Sequence, residues 1–184
     1  LPEGDPRRVS PTLVNPISDL APKMRSSLLP GLLATAARNV GRGESDLALF
    51  EIGTVFLGEV TQTILDPGVD TKPSAQTWAS MQASLPVQPE HVATVYTGTI
   101  ETAGVWGGPR PATWRDSLDS VLAIARELGV ELDVTTGEDP SFHPGRCARI
   151  AIRQSGECAG FAGELHPTVS EHWNLPKRSC AAEI

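Results

Sequence analysis

Hydrophobic residues recur along the chain with two different periods, and each period predicts a different kind of element. Residues 49–59 alternate with a period of two and carry apolar side chains on both faces, which predicts a buried, central strand. Ahead of this strand, apolar residues at positions 28, 29, 32, 33, 36, 37 and 40 predict a helix that Ser27 caps and Gly41 ends. Pro30 then lies in the first turn, where its missing N–H costs no helical hydrogen bond.

The second half of the chain predicts further strands and two more helices. Residues 92–100 alternate as a strand, and a helix follows because Thr113 and Asp116 can form a capping box before an apolar stripe that ends at Gly129. The stripe consists of Leu118, Val121, Leu122, Ala125 and Leu128. Three more elements are expected: a strand at 130–134, a hairpin of 147–153 with 158–165, and a short helix that opens at Pro167 and carries Val169 and Trp173. Strands joined by hairpins or single helices predict an α+β fold with a mainly antiparallel sheet flanked by helices.

The length and apolar content predict one domain. A chain of 184 residues with 40% hydrophobic residues can bury one sizeable core, so we expect residues 1–184 to form a single domain. An irregular loop at about 60–89 interrupts it, because this stretch is rich in Pro, Gly, Thr, Ser and Gln. We expect no more than one short helical turn in that loop, around Trp78.

Charge and cysteine content limit the function classes. The formal net charge of −7 provides no strong basic field for holding RNA through its backbone. No apolar run reaches the ~20 residues of a membrane span, and we expect no signal peptide. Three cysteines at irregular spacing indicate free thiols in a reducing compartment. We therefore expect a cytoplasmic protein without a membrane partner.

The strand at residues 49–59 resembles a known active-site strand. Its Phe-Glu-Ile-Gly run begins at Phe50, and a second aromatic residue, Phe56, follows it. The pattern is similar to motif 2 of the class II aminoacyl-tRNA synthetases, in which Arg-x-Glu comes directly after the aromatic residue. In active members that arginine clamps the α-phosphate of ATP. Here Leu57 holds the position and offers neither a hydrogen-bond donor nor a charge.

Other segments narrow the resemblance to one family. They are Val14-Asn15-Pro16-Ile17-Ser18, the run 24–33 followed by Asn39, Leu85-Pro86, His143-Pro144-Gly145-Arg146, and Gly163-Glu164-Leu165-His166-Pro167. In this order, and over nearly the whole chain, they resemble the catalytic-like module of the bacterial phenylalanyl-tRNA synthetase beta subunit. The resemblance also implies that the chain is a fragment, without the flanking modules of the full subunit.

This resemblance implies a class II synthetase-like fold and a role inside a larger enzyme. The family enzyme contains two alpha and two beta subunits and joins phenylalanine to its tRNA with ATP and magnesium. Because the alpha subunit performs that chemistry, we expect this module to be inactive alone and to scaffold the alpha subunit, within an assembly that holds a second alpha-beta pair and contacts tRNA. The alternative is a free-standing or regulatory domain that binds a small amino acid or nucleotide. A nucleic-acid module is a third possibility, which the acidic balance disfavours.

Paired carboxylates are the first candidate for chemistry in this chain. Glu51 and Glu59 share one face of the predicted strand and could act as an acid and base pair or hold a metal. Leu57 lies between them, so we expect Glu51 to be structural and to lie near the backbone of the helix after Ser27. Arg25 is either its ion-pair partner or a surface residue.

Metal and phosphate motifs are the remaining candidates. The ligand-type residues His143, Cys147, Cys158 and His166 have spacings that match no common zinc clip, so we expect them to be structural. Gly104, Gly107 and Gly108 lack the Lys and Ser or Thr of a phosphate loop. The sequence therefore predicts no catalytic, cofactor-binding or metal residue here, and it leaves open whether Trp106 and Trp114 touch tRNA.

Overall fold

A computed structural model of the chain describes residues 1–58, 68–105 and 107–184. In chain order, its elements are a 3₁₀ turn at Pro6–Arg8, α1 at Leu29–Val40, β1 at Leu47–Thr54, α2 at Ala75–Ala83, β2 at Glu90–Thr97, β3 at Thr99–Glu101, β4 at Arg110–Pro111, α3 at Trp114–Leu128, β5 at Leu132–Thr136, β6 at Phe142–Ile152, β7 at Cys158–Leu165, α4 at Pro167–His172 and β8 at Cys180–Glu183. Among these described helices, none combines the length and the apolar character that a membrane crossing requires.

A six-stranded sheet organises the larger part of the chain. Its strand order is β1-β2-β8-β7-β6-β5, and β3 and β4 form a separate two-stranded sheet. The ladders β2 with β8, β8 with β7, β7 with β6 and β6 with β5 are all antiparallel. The α+β class with a mainly antiparallel sheet is therefore confirmed, and so is the β6-β7 hairpin, although β6 begins five residues earlier than the predicted 147.

The sheet core forms where α3 packs against β6, β7 and β8. Val121 of α3 lies among Ile150, Ala162 and Ala182, and all four side chains are at most 2% exposed. The predicted capping box is present at the start of α3, and Gly129 ends the helix with a φ of 68°. The predicted stripe is too wide, because Leu122 and Leu128 are 38% and 72% exposed. A helix resting on one sheet face buries a narrower strip than the apolar residues mark out.

Helix α1 begins one residue later than predicted. Leu28 is the N-cap residue, while the Ser27 hydroxyl still accepts a hydrogen bond of 3.2 Å from the Leu29 N–H. Pro30 lies in the first turn as expected. The leucines at 28, 29, 32 and 33 are all buried, with exposures between 1% and 6%.

Strand β1 differs most from its prediction. It lies at the edge of the sheet and ends at Thr54, so both the predicted central position and the predicted run to residue 59 are wrong. Phe50 and Ile52 are 73% and 62% exposed. Helix α3 packs on β6, β7 and β8, and Phe50 and Ile52 of β1 stay uncovered.

The strand predicted at residues 92–100 is interrupted. Strand β2 ends at Thr97, and the chain turns at Gly98, whose φ is 64°. A side chain at Gly98 would collide with Ser45 and Asp46, so this turn requires glycine. The Asp46 carboxylate then accepts a hydrogen bond of 2.8 Å from the Thr99 N–H, where β3 starts.

The described residues form two compact units. One consists of Leu1–Ser26 with Thr54–Glu90, and the other consists of Ser27–Gly53 with His91–Ile184. The single domain expected for residues 1–184 stays a prediction. Within the first unit, α2 is a nine-residue helix rather than the single turn expected around Trp78. Residues 60–67 of the expected irregular loop lie outside the described residues.

Candidate functional site

Leu57, the residue that the resemblance aligns with the motif 2 arginine, lies in a segment that pairs through its backbone. The Leu57 N–H donates to the Val87 carbonyl at 2.9 Å, and the Leu57 side chain is half-buried. Just before it, the Phe56 N–H donates to the Arg25 carbonyl at 2.8 Å, and Arg25 Nε donates to the Thr54 carbonyl at 2.9 Å. Arg25 therefore holds the chain directly ahead of Leu57. Of its two predicted roles, the exposed side chain fits a surface residue, and an ion pair with Glu51 stays a prediction.

This segment does not fit the phosphate of ATP. A phosphate group needs charge-assisted donors, and Leu57 presents an aliphatic side chain where the resembling motif has its arginine. Glu59, the second carboxylate of the candidate pair, lies outside the described residues. Within the ranges that the structure describes, no group of three or more His, Cys, Asp and Glu side chains converges in a way that could hold a metal ion.

Glu51 lies beside helix α1. Its Oε2 atom is 3.9 Å from the place that a Cβ at Gly31 would occupy, and Gly31 belongs to the first turn of that helix. Glu51 is half-buried. The carboxylate of β1 therefore faces the same helix end that a second carboxylate, from β8, occupies.

That second carboxylate belongs to Glu183, which sequence reasoning missed. Glu183 Oε1 accepts hydrogen bonds from the Leu28 N–H and from His91 Nδ1, both at 2.9 Å. Its Oε2 accepts from the Ser27 hydroxyl at 2.6 Å and from the Leu29 N–H at 3.4 Å. A single side chain thus caps α1 and ties it to β2 and β8. No local pattern indicated this role, because the partners of Glu183 lie 92 to 156 residues away in the chain.

The electrostatics of Glu183 follow from this environment. The side chain is only 12% exposed, and burial by itself raises the pKa of a carboxyl group. Hydrogen bonds from His91, Ser27 and Leu28 outweigh burial and lower the pKa of Glu183 below its ordinary value. The group is therefore a carboxylate at neutral pH, which suits the positive end of a helix dipole.

The four ligand-type residues do not come together. Cys147 and Cys158 lie on facing strands, but Cys147 pairs with Gly163 whereas Cys158 pairs with Ala151, so the two thiols occupy different rungs. Cys147, His143 and His166 line a cavity of about 640 Å³, and Cys158 does not. Burial raises the pKa of Cys147 to about 11, so its thiol stays protonated at neutral pH. The Nδ1 atom of His166 accepts from the Thr168 N–H at 3.2 Å, at the start of α4.

The glycines at 104 and 107 close a tight turn. The Gly104 N–H donates to the Gly107 carbonyl at 2.9 Å, and the two residues form an isolated antiparallel bridge. Trp106 lies outside the described residues, so whether it touches tRNA stays open.

A second cavity gathers basic and aromatic side chains that sequence reasoning did not group. It has a volume of about 500 Å³ and is lined by Trp114, Arg146, Glu164, Lys177 and Arg178, among others. Arg146 Nη1 contacts both oxygens of Glu164, at 2.7 and 2.8 Å. These residues come from the start of α3, from β6, from β7 and from the turn before β8. No local pattern could have joined them, because only the sheet order brings them together.

Comparison with known proteins places the whole chain in one family. Residues 1–184 match the family model described as the phenylalanyl tRNA synthetase beta chain CLM domain. The chain is 46% identical over 187 residues to the phenylalanine-tRNA ligase beta subunit of Streptomyces avermitilis, which covers all of this chain and 22% of that protein. It is 42% identical over 188 residues to the beta subunit of Thermobifida fusca and 40% identical over 184 residues to that of Corynebacterium efficiens, again over all of this chain and over 23% and 22% of those proteins.

The chain thus spans about a fifth of the length of the curated relatives it matches. The segments that carried the resemblance in the sequence agree with this result. The match over all 184 residues shows that the chain belongs to the family of phenylalanyl-tRNA synthetase beta chain CLM domains.

Proposed function

We propose that this chain is a non-catalytic, class II synthetase-like module of a phenylalanine-tRNA ligase beta subunit, which scaffolds the alpha subunit for ATP-dependent charging of tRNA with phenylalanine. In this proposal the alpha subunit holds ATP and magnesium and performs the chemistry in the cytoplasm. The whole enzyme contains two alpha-beta pairs and contacts tRNA. Leu57, at the position of the phosphate-clamping arginine, is the observation that carries the non-catalytic part of the proposal.

The edge of the sheet supports the scaffolding part. Phe50 and Ile52 lie on one face of β1, are mostly exposed, and belong to the edge strand of the sheet that the described residues form. Large apolar side chains clustered beside an open edge are typical of a surface that a partner covers. We therefore assign the face of β1 that carries Phe50 and Ile52, here called the β1 face, to the contact with the alpha subunit.

Co-purification of this chain with the alpha subunit tests the proposal. We expect a stable complex, and we expect the double variant Phe50→Ser with Ile52→Ser to weaken it by tenfold or more, roughly the effect of losing an interface hot spot. The control is Val134→Ser, because Val134 is 41% exposed on β5 at the opposite edge of the sheet. A chain that ignores the alpha subunit at about 50 µM would contradict scaffolding, since a complex that weak contributes little to a stable assembly.

The alternative, a free-standing domain that binds a small amino acid or nucleotide, is favoured by the cavities alone. Their volumes of about 300, 500 and 640 Å³ lie within the range of small-molecule sites. Calorimetric titration with phenylalanine and with ATP distinguishes it from scaffolding. Binding of either ligand in the micromolar range, together with no affinity for the alpha subunit, would favour the alternative.

A further inference from the structure

The cavity beside Trp114 has the chemistry of a site for single-stranded RNA. Of the charged side chains that line it, three are cationic and one, Glu164, is a carboxylate, in a chain whose formal net charge is −7. Glu164 is only 12% exposed and is bound to Arg146. Lys177 and Arg178 are exposed, and the structure gives neither an ion-pair partner among the residues it describes. Two cations at this cavity are therefore available to a ligand.

The turn that carries these cations has an unusual backbone. The Ser179 N–H donates to the Pro176 carbonyl at 3.3 Å, which closes a four-residue turn with Lys177 and Arg178 at its centre. Arg178 has a φ of 64°, in the left-handed region where such turns favour Gly or Asn. A non-glycine residue pays for this conformation with backbone strain, and strain of this kind concentrates at binding sites. Glycine would form this turn with less strain. An arginine at this position therefore suggests that its side chain has a role in binding.

An aromatic ring completes the site. Trp114 is 38% exposed and lines both this cavity and the neighbouring cavity of about 300 Å³. The Arg115 guanidinium carbon lies over one face of the Trp114 ring, 5.5 Å from its centre, so a base would stack on the opposite face. A ring for stacking beside cations for phosphates is the arrangement by which proteins bind unpaired nucleotides.

We propose that the cavity lined by Trp114, Lys177 and Arg178 binds a short single-stranded segment of RNA, with one base stacked on Trp114 and adjacent phosphates on the two cations. Arg146, held by Glu164, borders the same path. The inference goes beyond the proposed function, because the chain can scaffold the alpha subunit whether or not this cavity meets RNA. Because the formal net charge of the chain is −7, we expect RNA to contact this cationic patch and not the rest of the surface.

Fluorescence anisotropy with a labelled RNA hexamer of mixed sequence tests the site at low salt. Two phosphate contacts predict a slope of log K against log salt of about −1.4, since each contact on a single strand contributes about −0.7. Arg178→Gly should bring the slope to about −0.7 and weaken binding several-fold at low salt. Its melting temperature should be unchanged or higher because the strain is relieved, so lost binding cannot be ascribed to unfolding.

Two further variants locate the contact. Trp114→Leu should weaken binding by about tenfold, within the range for loss of one stacked base, while Trp114→Phe should retain most of it. Arg126→Ala is the charge-matched control, because Arg126 is 77% exposed near the far end of α3, and it should bind like the parent. Binding that Arg178→Gly and Trp114→Leu leave unchanged would overturn the proposal.

Two further measurements complete the experiment: the binding of ATP and AMP, and complex formation with the alpha subunit. ATP and AMP should bind at least tenfold more weakly than the hexamer, because each offers a single base and no neighbouring phosphodiester. Equal affinity would overturn the RNA assignment and make the cavity a mononucleotide site. No binding of the hexamer at about 1 mM would also overturn it. The Arg178→Gly variant should still form the complex with the alpha subunit, so failure here is distinguishable from failure of the scaffolding proposal.

Discussion

Helix α1 and strand β1 are neighbours in the chain, and their apolar residues have opposite fates. The four leucines at the start of α1 are all buried, whereas Phe50 and Ile52 of β1, which the sequence predicts to be inside, are mostly exposed. An apolar pattern indicates that a face is buried, but it does not indicate whether the same chain or a partner buries it. The same chain buries the leucines of α1, and we propose that the alpha subunit buries Phe50 and Ile52.

The largest effect expected from this comparison is on stability. Leu28→Ala should lower the free energy of unfolding by about 2–5 kcal/mol, because Leu28 is 1% exposed and its removal leaves a cavity. Ile52→Ala, on the β1 face, should change it by less than about 1 kcal/mol. Urea denaturation of both variants measures the difference. Similar losses for both would show that the two regions are equally buried.

Glu183, which caps α1, provides the next prediction. Glu183→Gln should lower the free energy of unfolding by about 2 kcal/mol at neutral pH, because its donors lose a charged acceptor. The lowered pKa of Glu183 means that its contribution is present above the unfolded pKa, near 4.5, and disappears as the pH falls through the folded value.

Denaturation curves collected between about pH 3 and pH 7 should therefore converge for the parent and this variant at the acidic end. Glu171→Gln, on the exposed surface of α4, is the control and should follow the parent throughout. A difference that stays constant down to the lowest pH would show that Glu183 acts through its shape and not its charge.

Leu57, three residues after β1 ends, allows a test of whether this position can bind ATP or tolerate a charge. The chain should show no saturable ATP binding in the micromolar range, and Leu57→Arg should not create any. That variant should lower the free energy of unfolding by about 1–2 kcal/mol, because Leu57 is half-buried and a guanidinium is costly there.

Calorimetry measures ATP binding and thermal melting measures the destabilisation. Val87→Arg is the matched control, since Val87 is the backbone partner of Leu57 but is 68% exposed, and it should be nearly neutral. Micromolar ATP binding by the parent chain would refute the non-catalytic proposal.

The smallest stability effect belongs to the β1 face itself. Phe50→Ser should change the free energy of unfolding by no more than about 0.5 kcal/mol, because the side chain is 73% exposed. We expect the parent chain to self-associate through this face when the alpha subunit is absent, and this variant to do so less. Ultracentrifugation across a dilution series measures both. A parent chain that remains strictly monomeric would contradict self-association through the β1 face.

Elements with strong local signals were predicted well. Helix α3 was located by its capping box and by Gly129, the β6-β7 hairpin by alternation around a turn at 154–157, and α4 by Pro167. These signals depend on residues within a few positions of one another, so the chain itself displays them. Strand β1 was located but placed wrongly in the sheet, because alternation carries no information about which strands become neighbours.

The candidate site divides in the same way. Leu57 could be recognised from the sequence because a local motif surrounds it, and the absence of a charged donor there is a property of one residue. The role of Glu183 could not be recognised, since its two partner segments, residues 27–29 and His91, lie far away in the chain. The cavity of Trp114 and Arg178 was missed for the same reason, and because a left-handed φ at an arginine has no signature in the sequence.

The sequence by itself determined the family and the α+β class, and it placed an uncharged leucine at position 57. Each of these depends on residue identity, on short spacing or on the order of motifs along the chain. Only the tertiary structure decided that β1 lies at an edge, that Glu183 caps α1, and that Trp114 shares a cavity with Lys177 and Arg178. Those facts arise from the order of six strands in one sheet, and strand order follows from the packing of the whole chain rather than from any local pattern.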